Sequence, residues 1–587
     1  MAGISWRWAL IIPIFTAILF LYLSELGQQA LSILGLTTTH KFTYQRSVKI
    51  AQGTVVGRLV DDGTFPEPLE GFLGIPYALP PVGDLRFRPA VPVPDSNQTI
   101  EAFYLGKQLV PFTGDEWLGP DYESESCLTI SVYRPKNHTS SSKPLPVAML
   151  IPGGAFNRGA QRMHNTASML AWSAEPWIGV SMQYRIGVFG GLNTELTEKE
   201  GLLNLGLRDI YVALEWVQEN IGAFGGDKYD VTIMGLSAAA HAIGHLIMDI
   251  NQPKPLFHKA IMDSGAHTAR VVHPASSALN TAHFSELLSL TGCSNLPDNA
   301  TLPCLRTLPS ETIIKAGQSI FDASEPSVRW AWQPVLDTSP KGIISRRPID
   351  AWRSGHWNKI PILTGSTHNE GAMYVPRSAS TSFDFIDFFS TLLPHFSAED
   401  LIELNNLYPD PAKFPESEYV ETRGIEGVGG QYKRLEAAYG HYAYTCPVRQ
   451  TAILGSKDAE QPPIYIYHWA LNKTVLYGAN HGDQMRYQTY NSEVRSISPA
   501  QDEVAGWMNA YAMSFIVTGD PNKIKGRFPD RPEWKAWKGV EKTMVFGEGN
   551  DERAGGTGVG ISADFRKYKW AEKECEFWWK HTSSFED

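Results

Sequence analysis

The stretch whose reading decides this chain is "VTIMGLSAAAHAIGHL", Val231 to Leu246. Its first residues form an apolar run typical of a buried strand, and its last residues are alanine-rich, as a buried helix is. Between the two stands Gly235-Leu236-Ser237-Ala238-Ala239. A serine nucleophile commonly sits in G-x-S-x-G at such a strand-to-helix turn. The residues two before and two after it must be small, because strand and helix backbones pass closely there. Gly235 and Ala239 both meet that demand, although Ala239 adds one methyl to the usual glycine. Taken alone, the pattern is also that of an ordinary helix N-cap. Its meaning depends on what the rest of the chain supplies.

The flanking sequence supplies a frame. "LPVAMLIPGG" (Leu145–Gly154) and "WIGVSMQYRIGV" (Trp177–Val188) read as buried strands. "DIYVALEWVQENIGAF" reads as an amphipathic helix, with Ile210, Ala213, Leu214, Trp216, Val217 and Ile221 on or near one face. Strands alternating with helices predict an α/β fold with a mainly parallel sheet. Ligands in such sheets bind at the carboxyl ends of the strands, and Ser237 is at such an end. Before this region, "VKIAQGTVVGRLV" alternates with the period of antiparallel strands.

A serine hydroxyl needs a base to take its proton, an acid to orient that base, and N–H donors for the oxyanion. Upstream, Pro152-Gly153-Gly154-Ala155-Phe156 follows a predicted strand and can aim backbone N–H groups at a carbonyl. Downstream, "LTGSTHNEGAMY" places Glu370 after the apolar run "IPILTG". "YGANHGDQM" then places His481 in a Gly/Asn-rich loop. The chain order Ser, Glu, His is that of an α/β-hydrolase triad.

Longer motifs make the resemblance specific. "GIPYALPPVGDLRFRPAVP" (Gly74–Pro92), "ESCLTISVYRP" (Glu125–Pro135), the run from "GLRDIYVALEW" through the elbow, and "LFHKAIMDSGA" resemble type B carboxylesterases, which include cholinesterases and fungal lipases. The resemblance runs from about Val48 to Trp579. It implies an α/β-hydrolase fold: a central, mostly parallel sheet flanked by helices, with long insertions forming a gorge. It implies Ser237 as nucleophile, His481 as general base and acid, and Glu370 as its orienting carboxylate. Backbone amides of Gly154, Ala155 and Ala238 are the implied oxyanion hole, and the chemistry needs no cofactor or metal. The implied disulfides are Cys293–Cys304, which spacing across a short loop also favours, and Cys446–Cys575. Ser264 in "MDSGA" matches a buried family serine near the triad, read as support for it or as a simple core hydrogen bond.

Departures from the family pattern bear on substrate. Cys127 matches a cysteine that usually has an upstream partner, and no cysteine precedes it here. It is expected to be free and buried. Trp117 stands ten residues before it, the spacing of a cation-binding tryptophan in cholinesterases, and an aromatic face can bind a quaternary ammonium. Leu236 stands before the nucleophile where the family usually has Glu. It points to a mostly neutral, apolar ester rather than a choline ester. His241 and His245 have the i, i+4 spacing of a helical metal pair but lack the Glu of H-E-x-x-H, so they read as packing histidines. His368 reads as a loop hydrogen-bonder. Asp483 is an alternative acid, set too near His481 in sequence to orient it easily.

Composition narrows the setting. The chain has 587 residues, 43% of them hydrophobic, and a formal charge of −11 without a basic block. Nucleic acid is therefore not an expected partner. Arg7 precedes the uncharged stretch Trp8–Ser24, which fits a signal anchor with a luminal catalytic domain or a cleaved signal peptide on a secreted protein. Four N-x-T triplets, at Asn97, Asn137, Asn299 and Asn472, fit passage through the secretory pathway as glycosylation sites. Five cysteines without a C-x-x-C pair speak against structural zinc. The expected organisation is a signal segment over 1–24, a connection over 25–46 and one hydrolase domain over 47–580. The expected partner is a small-molecule ester. Rival readings are an acyl transferase, lactonase or cyclase using the same site on a biosynthetic intermediate, and a non-catalytic adhesion or scaffold relative.

Overall fold

A computed structural model describes residues 44–108, 124–458 and 460–582. The hydrophobic N-terminal stretch and Trp117 lie outside these residues. Contacts divide the chain after Arg46, and the second unit, Ser47–Asp587, is the one considered below.

The strands are β1 (Gln45–Ile50), β2 (Gly53–Val60), β3 (Leu69–Pro76), β4 (Thr99–Glu101), β5 (Thr129–Pro135), β6 (Leu145–Ile151), β7 (Ile178–Met182), β8 (Gly226–Leu236), β9 (Lys259–Asp263), β10 (Ile362–Thr367), β11 (Ile464–Trp469), β12 (Lys542–Phe546), β13 (Asn550–Asp551), β14 (Gly558–Val559) and β15 (Ala563–Lys567). One large sheet has the order β1-β2-β3-β5-β7-β6-β8-β9-β10-β11-β12-β15, with β4 beside β2. From β7 to β12 every pairing is parallel. On this path β2 and β3, β3 and β5, β5 and β7, and β12 and β15 pair antiparallel. This is the mostly parallel α/β-hydrolase sheet.

Burial on both faces explains the unbroken apolar runs of the central strands. Along β6, Val147, Met149 and Ile151 pack into one core, while Ala148 and Leu150 pack into the other. The first core is covered by the helix Leu205–Asn220, through Ile210, Ala213, Leu214 and Val217, and by the elbow helix Ala238–Met248. The second is covered by the helix Pro499–Thr518, through Val504, Met508, Phe515 and Ile516. The run Trp177–Val188 divides: strand ends at Met182, and Gly187, at φ +57°, opens the short helix Gly187–Gly191. Period alone does not mark that break, because both parts are fully buried.

Two disulfides are present. Cys293–Cys304 ties the end of the helix Ala278–Thr291 to the helix Asp298–Thr307. Cys446–Cys575 ties the helix Cys446–Gly455 to the C-terminal helix Glu572–Lys580. Cys127 is free and fully buried, and burial pushes its thiol far up from its ordinary pKa, which leaves it unreactive. Among the described residues no helix is long and apolar enough to cross a membrane.

Candidate active site

The carboxyl ends of β6, β8, β9, β10 and β11 meet around one point. β8 ends at Leu236 and the elbow helix begins at Ala238. Ser237 alone carries the reversal, with φ 63° and ψ −126°, a conformation costing about 1–3 kcal/mol for a residue with a side chain. Two hydrogen bonds and two closely packed glycines hold it there. Ser237 N–H donates to Asp263 O at the end of β9 (2.8 Å), and Ser237 C=O accepts from His241 N–H (3.0 Å). A Cβ on Gly153 would stand 2.3 Å from Leu236 O, and one on Gly265 would stand 2.8 Å from Ser237 O. The turn is therefore gripped by backbone on both sides.

The loop after β6 is equally constrained. Gly154 (φ 110°), Ala155 (φ 56°) and Phe156 (φ 61°) are successive residues with positive φ. Ala155 C=O accepts from Asn157 Nδ2 and from Gln333 Nε2, each at 2.9 Å. Phe156 C=O accepts from Gly187 N–H at 2.6 Å. With its carbonyls held outward, the loop keeps the N–H groups of Gly154 and Ala155 unused by any acceptor among the described residues. Ala238 N–H is the first of its helix and is unused too, where the helix dipole favours negative charge.

Glu370 and His481 arrive from the next two strands. Glu370 follows β10, and its Oε1 accepts from Thr367 N–H (2.7 Å). Its Oε2 accepts from His481 Nδ1 (2.5 Å), with side chains 1% and 6% exposed. His481 Nε2, the atom facing away from the carboxylate, is buried without a partner among the described residues. Ser237 Oγ is not hydrogen-bonded to it here; such contacts are often long until substrate is bound. Tyr444 packs on the imidazole at 4.5 Å and Tyr374 at 5.5 Å. Tyr444 lies in a single π turn, His441–Thr445, inserted between two α-helical stretches. Such turns occur frequently at functional sites, and nothing in the spacing of "YGHYAYTCP" singles this one out.

The remaining sequence candidates separate. Ser264 Oγ accepts from Gln484 Nε2 (3.1 Å), and Gln484 also donates to Tyr467 Oη (3.2 Å), which donates to Asp263 Oδ1 (2.7 Å). This buried network lies under the elbow, and burial raises the Asp263 carboxyl to about 6. Asp483 pairs with Lys473 (3.3 Å) and accepts from Asn480 N–H, turned away from His481. His368 contacts His468 (3.2 Å) and stacks on Trp570 at 4.1 Å. Leu236 is buried, and a Cβ on Gly482, next to His481, would meet its Cδ2 at 3.1 Å. His241 Nδ1 is bonded to Ala266 (2.9 Å), and His245 packs edge-on to His267 at 6.4 Å. Both are buried and packed, and both also line a cavity beside the elbow helix. The described residues hold no group of His, Cys, Asp or Glu arranged to bind a metal ion.

Comparison with known proteins agrees with this architecture. A carboxylesterase family model matches residues 44–578. The chain is 32% identical to Secreted lipase 4 of Gibberella zeae over 519 residues, covering 86% of this chain and 90% of that one. It is 29% identical to Lipase 1 of Geotrichum candidum, covering 79% and 86%. Among solved structures, Aspergillus niger EstA superimposes with a TM-score of 0.77 at 25% identity, covering 93% of this chain and all of that one.

Proposed function

The chain belongs to the carboxylesterase family and is a carboxylic ester hydrolase, and we propose that it works through Ser237, His481 and Glu370 by way of an acyl-enzyme. The observation that carries this reading is the convergence, at the carboxyl ends of the central strands, of a strained serine, a carboxylate-bound histidine and unused backbone N–H groups.

In the first half-reaction, Ser237 Oγ attacks the ester carbonyl carbon and its proton passes to His481 Nε2. Glu370, fixed by Thr367 N–H, stabilises the imidazolium and sets its orientation. The oxyanion is met by the N–H groups of Gly154, Ala155 and Ala238. The carbon–oxygen bond to the alcohol then breaks, and that alcohol leaves with the proton from His481. In the second, water attacks the acyl-enzyme, giving its proton to His481, and the acid is released as Ser237 recovers its hydrogen. Leu236 and Phe156 make the surroundings of the scissile ester apolar, which fits an ester that is neutral there.

We also assign the chain to the secretory pathway. The relative in Gibberella zeae is named a secreted lipase, two disulfides are formed, and Asn97, Asn137 and Asn299 are exposed, with Asn472 partly so. These asparagines are the proposed glycosylation sites. Sequencing the mature N-terminus separates anchor from cleaved peptide: a start after Ser24 overturns the anchor.

The function is tested with p-nitrophenyl esters and a fluorophosphonate probe. Hydrolysis and labelling are expected, both lost in Ser237→Ala. Labelling that persists in Ser237→Ala removes Ser237 from the role of nucleophile.

A further inference from the structure

The cavity beside the elbow helix has an unusual lining. Two arginines, Arg270 and Arg329, face it together with His241, His245, His267 and His273, and no Asp or Glu takes part. Arg270 is the more enclosed. Its guanidinium lies over the Trp330 ring at 3.7 Å, and Nη2 donates to Tyr444 Oη at 2.8 Å. Neither arginine pairs with a carboxylate among the described residues, although Arg158 does, with Glu325 at 2.9 Å.

A buried cation without a counter-ion is expensive, and proteins normally pair it. Trp330 and Tyr444 offset part of that cost through their ring faces. They leave the planar fork of N–H donors without the carboxylate whose geometry it matches. Arg270 keeps part of its surface open to the cavity. Burial holds His245 and His273 neutral, pushing them down to about 3 and about 4. These imidazoles therefore add hydrogen-bonding groups rather than further repulsion.

The cavity adjoins the catalytic centre without containing it. Phe156, which lines it, belongs to the oxyanion loop, and Gln333, which also lines it, donates to Ala155 O. His241 is one helical turn from Ser237. Tyr444 bridges the two places, bonded to Arg270 and packed on His481.

We infer that this cavity is the subsite for a carboxylate carried by the substrate at the end remote from its scissile ester, held by Arg270 with Arg329 behind it. The inference rests on the esterase reading above and refines it: the substrate is apolar around the ester and anionic at its far end. A half-ester of a dicarboxylic acid is the simplest member of that class.

The test compares mono-p-nitrophenyl esters of straight-chain dicarboxylic acids, from succinate to suberate, with the same esters capped distally as methyl esters. The readout is the ratio of kcat/KM for free acid to capped ester within each protein, which divides out any general loss. Wild type is expected to favour the free acid for at least one chain length. Arg270→Gln should lower that ratio about 30-fold or more, the usual cost of truncating a desolvated charge pair, and Arg329→Gln should lower it less. Arg270→Lys keeps the charge but not the fork and should fall between. A wild-type ratio near one at every length, or a ratio unmoved by Arg270→Gln, overturns the subsite. A second arm measures calorimetric binding of the monomethyl half-esters to Ser237→Ala, with and without Arg270→Gln. Arg270-dependent binding there, with no hydrolysis of any of these esters by wild type, sinks the esterase reading and leaves the carboxylate site standing. Absence of Arg270-dependent binding overturns the site whatever the hydrolysis shows. Binding of free dicarboxylate alone, without a shifted kinetic ratio, overturns its assignment to substrate.

Discussion

Glu370 and His481 are 111 residues apart in the chain, yet His481 Nδ1 donates to Glu370 Oε2 at 2.5 Å, both side chains buried. The pairing follows from β10 and β11 lying side by side and parallel, so that the loops leaving their carboxyl ends meet. Asp483, two residues from His481, is held by Lys473 and does not compete. Glu370→Gln keeps the shape but removes the charge and the acceptor that orients the imidazole. Its kcat should fall by roughly 10³–10⁴, with fluorophosphonate labelling slowed in proportion. Steady-state hydrolysis at wild-type rate in that variant would show that another acid does the work.

Ser237 stores backbone strain for its role. Glycine adopts positive φ without the clash of a Cβ. Ser237→Gly should therefore raise the melting temperature, by the equivalent of about 1 kcal/mol, while abolishing hydrolysis. Differential scanning calorimetry decides it: a destabilised glycine variant means the turn is not strained at this residue.

The extra methyl of Ala239 has a cost that Gly235 absorbs. A Cβ built on Gly235 would sit 2.5 Å from the Ala239 Cβ. Gly235→Ala should destabilise by about 1–3 kcal/mol through overpacking. Ala239→Gly in the same chain should recover a large part of that loss. Chemical denaturation of the four proteins of this cycle measures the coupling, and additive effects would refute the steric account.

The two disulfides differ in what they cross-link. Cys446–Cys575 spans 129 residues and Cys293–Cys304 spans 11. On chain entropy their removal costs about 5 and about 3 kcal/mol respectively. Cys446 directly follows the π turn carrying Tyr444, so the Cys446→Ser, Cys575→Ser protein should also lose activity below its melting temperature. The Cys293→Ser, Cys304→Ser protein should not. Equal activity losses in the two would disconnect the π turn from His481.

Stability should fall in mild acid. Burial holds His164, His245, His273, His368 and His441 neutral in the folded chain, at values of about 3 to about 4, against 6.5 for a free imidazole. Between those values the unfolded chain binds more protons than the folded one. Stability is therefore lost as pH drops from about 6.5 towards 4, by up to about 1.4 kcal/mol per pH unit for each such group. Asp263 and Glu436 act in the opposite sense, because burial raises them to about 6 and about 7 and the folded chain then holds the extra protons. The histidines outnumber them, so the net slope is positive. His164→Gln should flatten the dependence of melting temperature on pH. A melting temperature constant from neutrality to pH 4.5 would contradict the scheme.

Much of this is legible in the sequence. Val231–Leu236 and the residues after Ser237 declare strand and helix by an unbroken apolar run and by alanine richness, and Gly235 and Ala239 declare a tight crossing by size. Glu370 follows an apolar strand, His481 stands in a Gly/Asn-rich loop, and both come after Ser237 in a recognisable order; the cysteine pairs follow from the family pattern. These are local properties, set by side-chain volume, backbone freedom and hydrophobic alternation over a few residues. The break after Met182 was not legible, because a strand and the loop after it are equally apolar when both are buried. Nor was the environment of His241 and His245: helical spacing gives two residues a shared face and says nothing of what faces them. Only the tertiary structure brings Arg270, Arg329, Trp330 and Tyr444 together from distant segments of the chain. Whether an arginine is paired depends on the burial and charge of neighbours remote in sequence. The sequence alone thus determined the strand, the turn and the helix around Ser237. The packing of long insertions over the ends of the central strands decided which side chains line the cavity beside them.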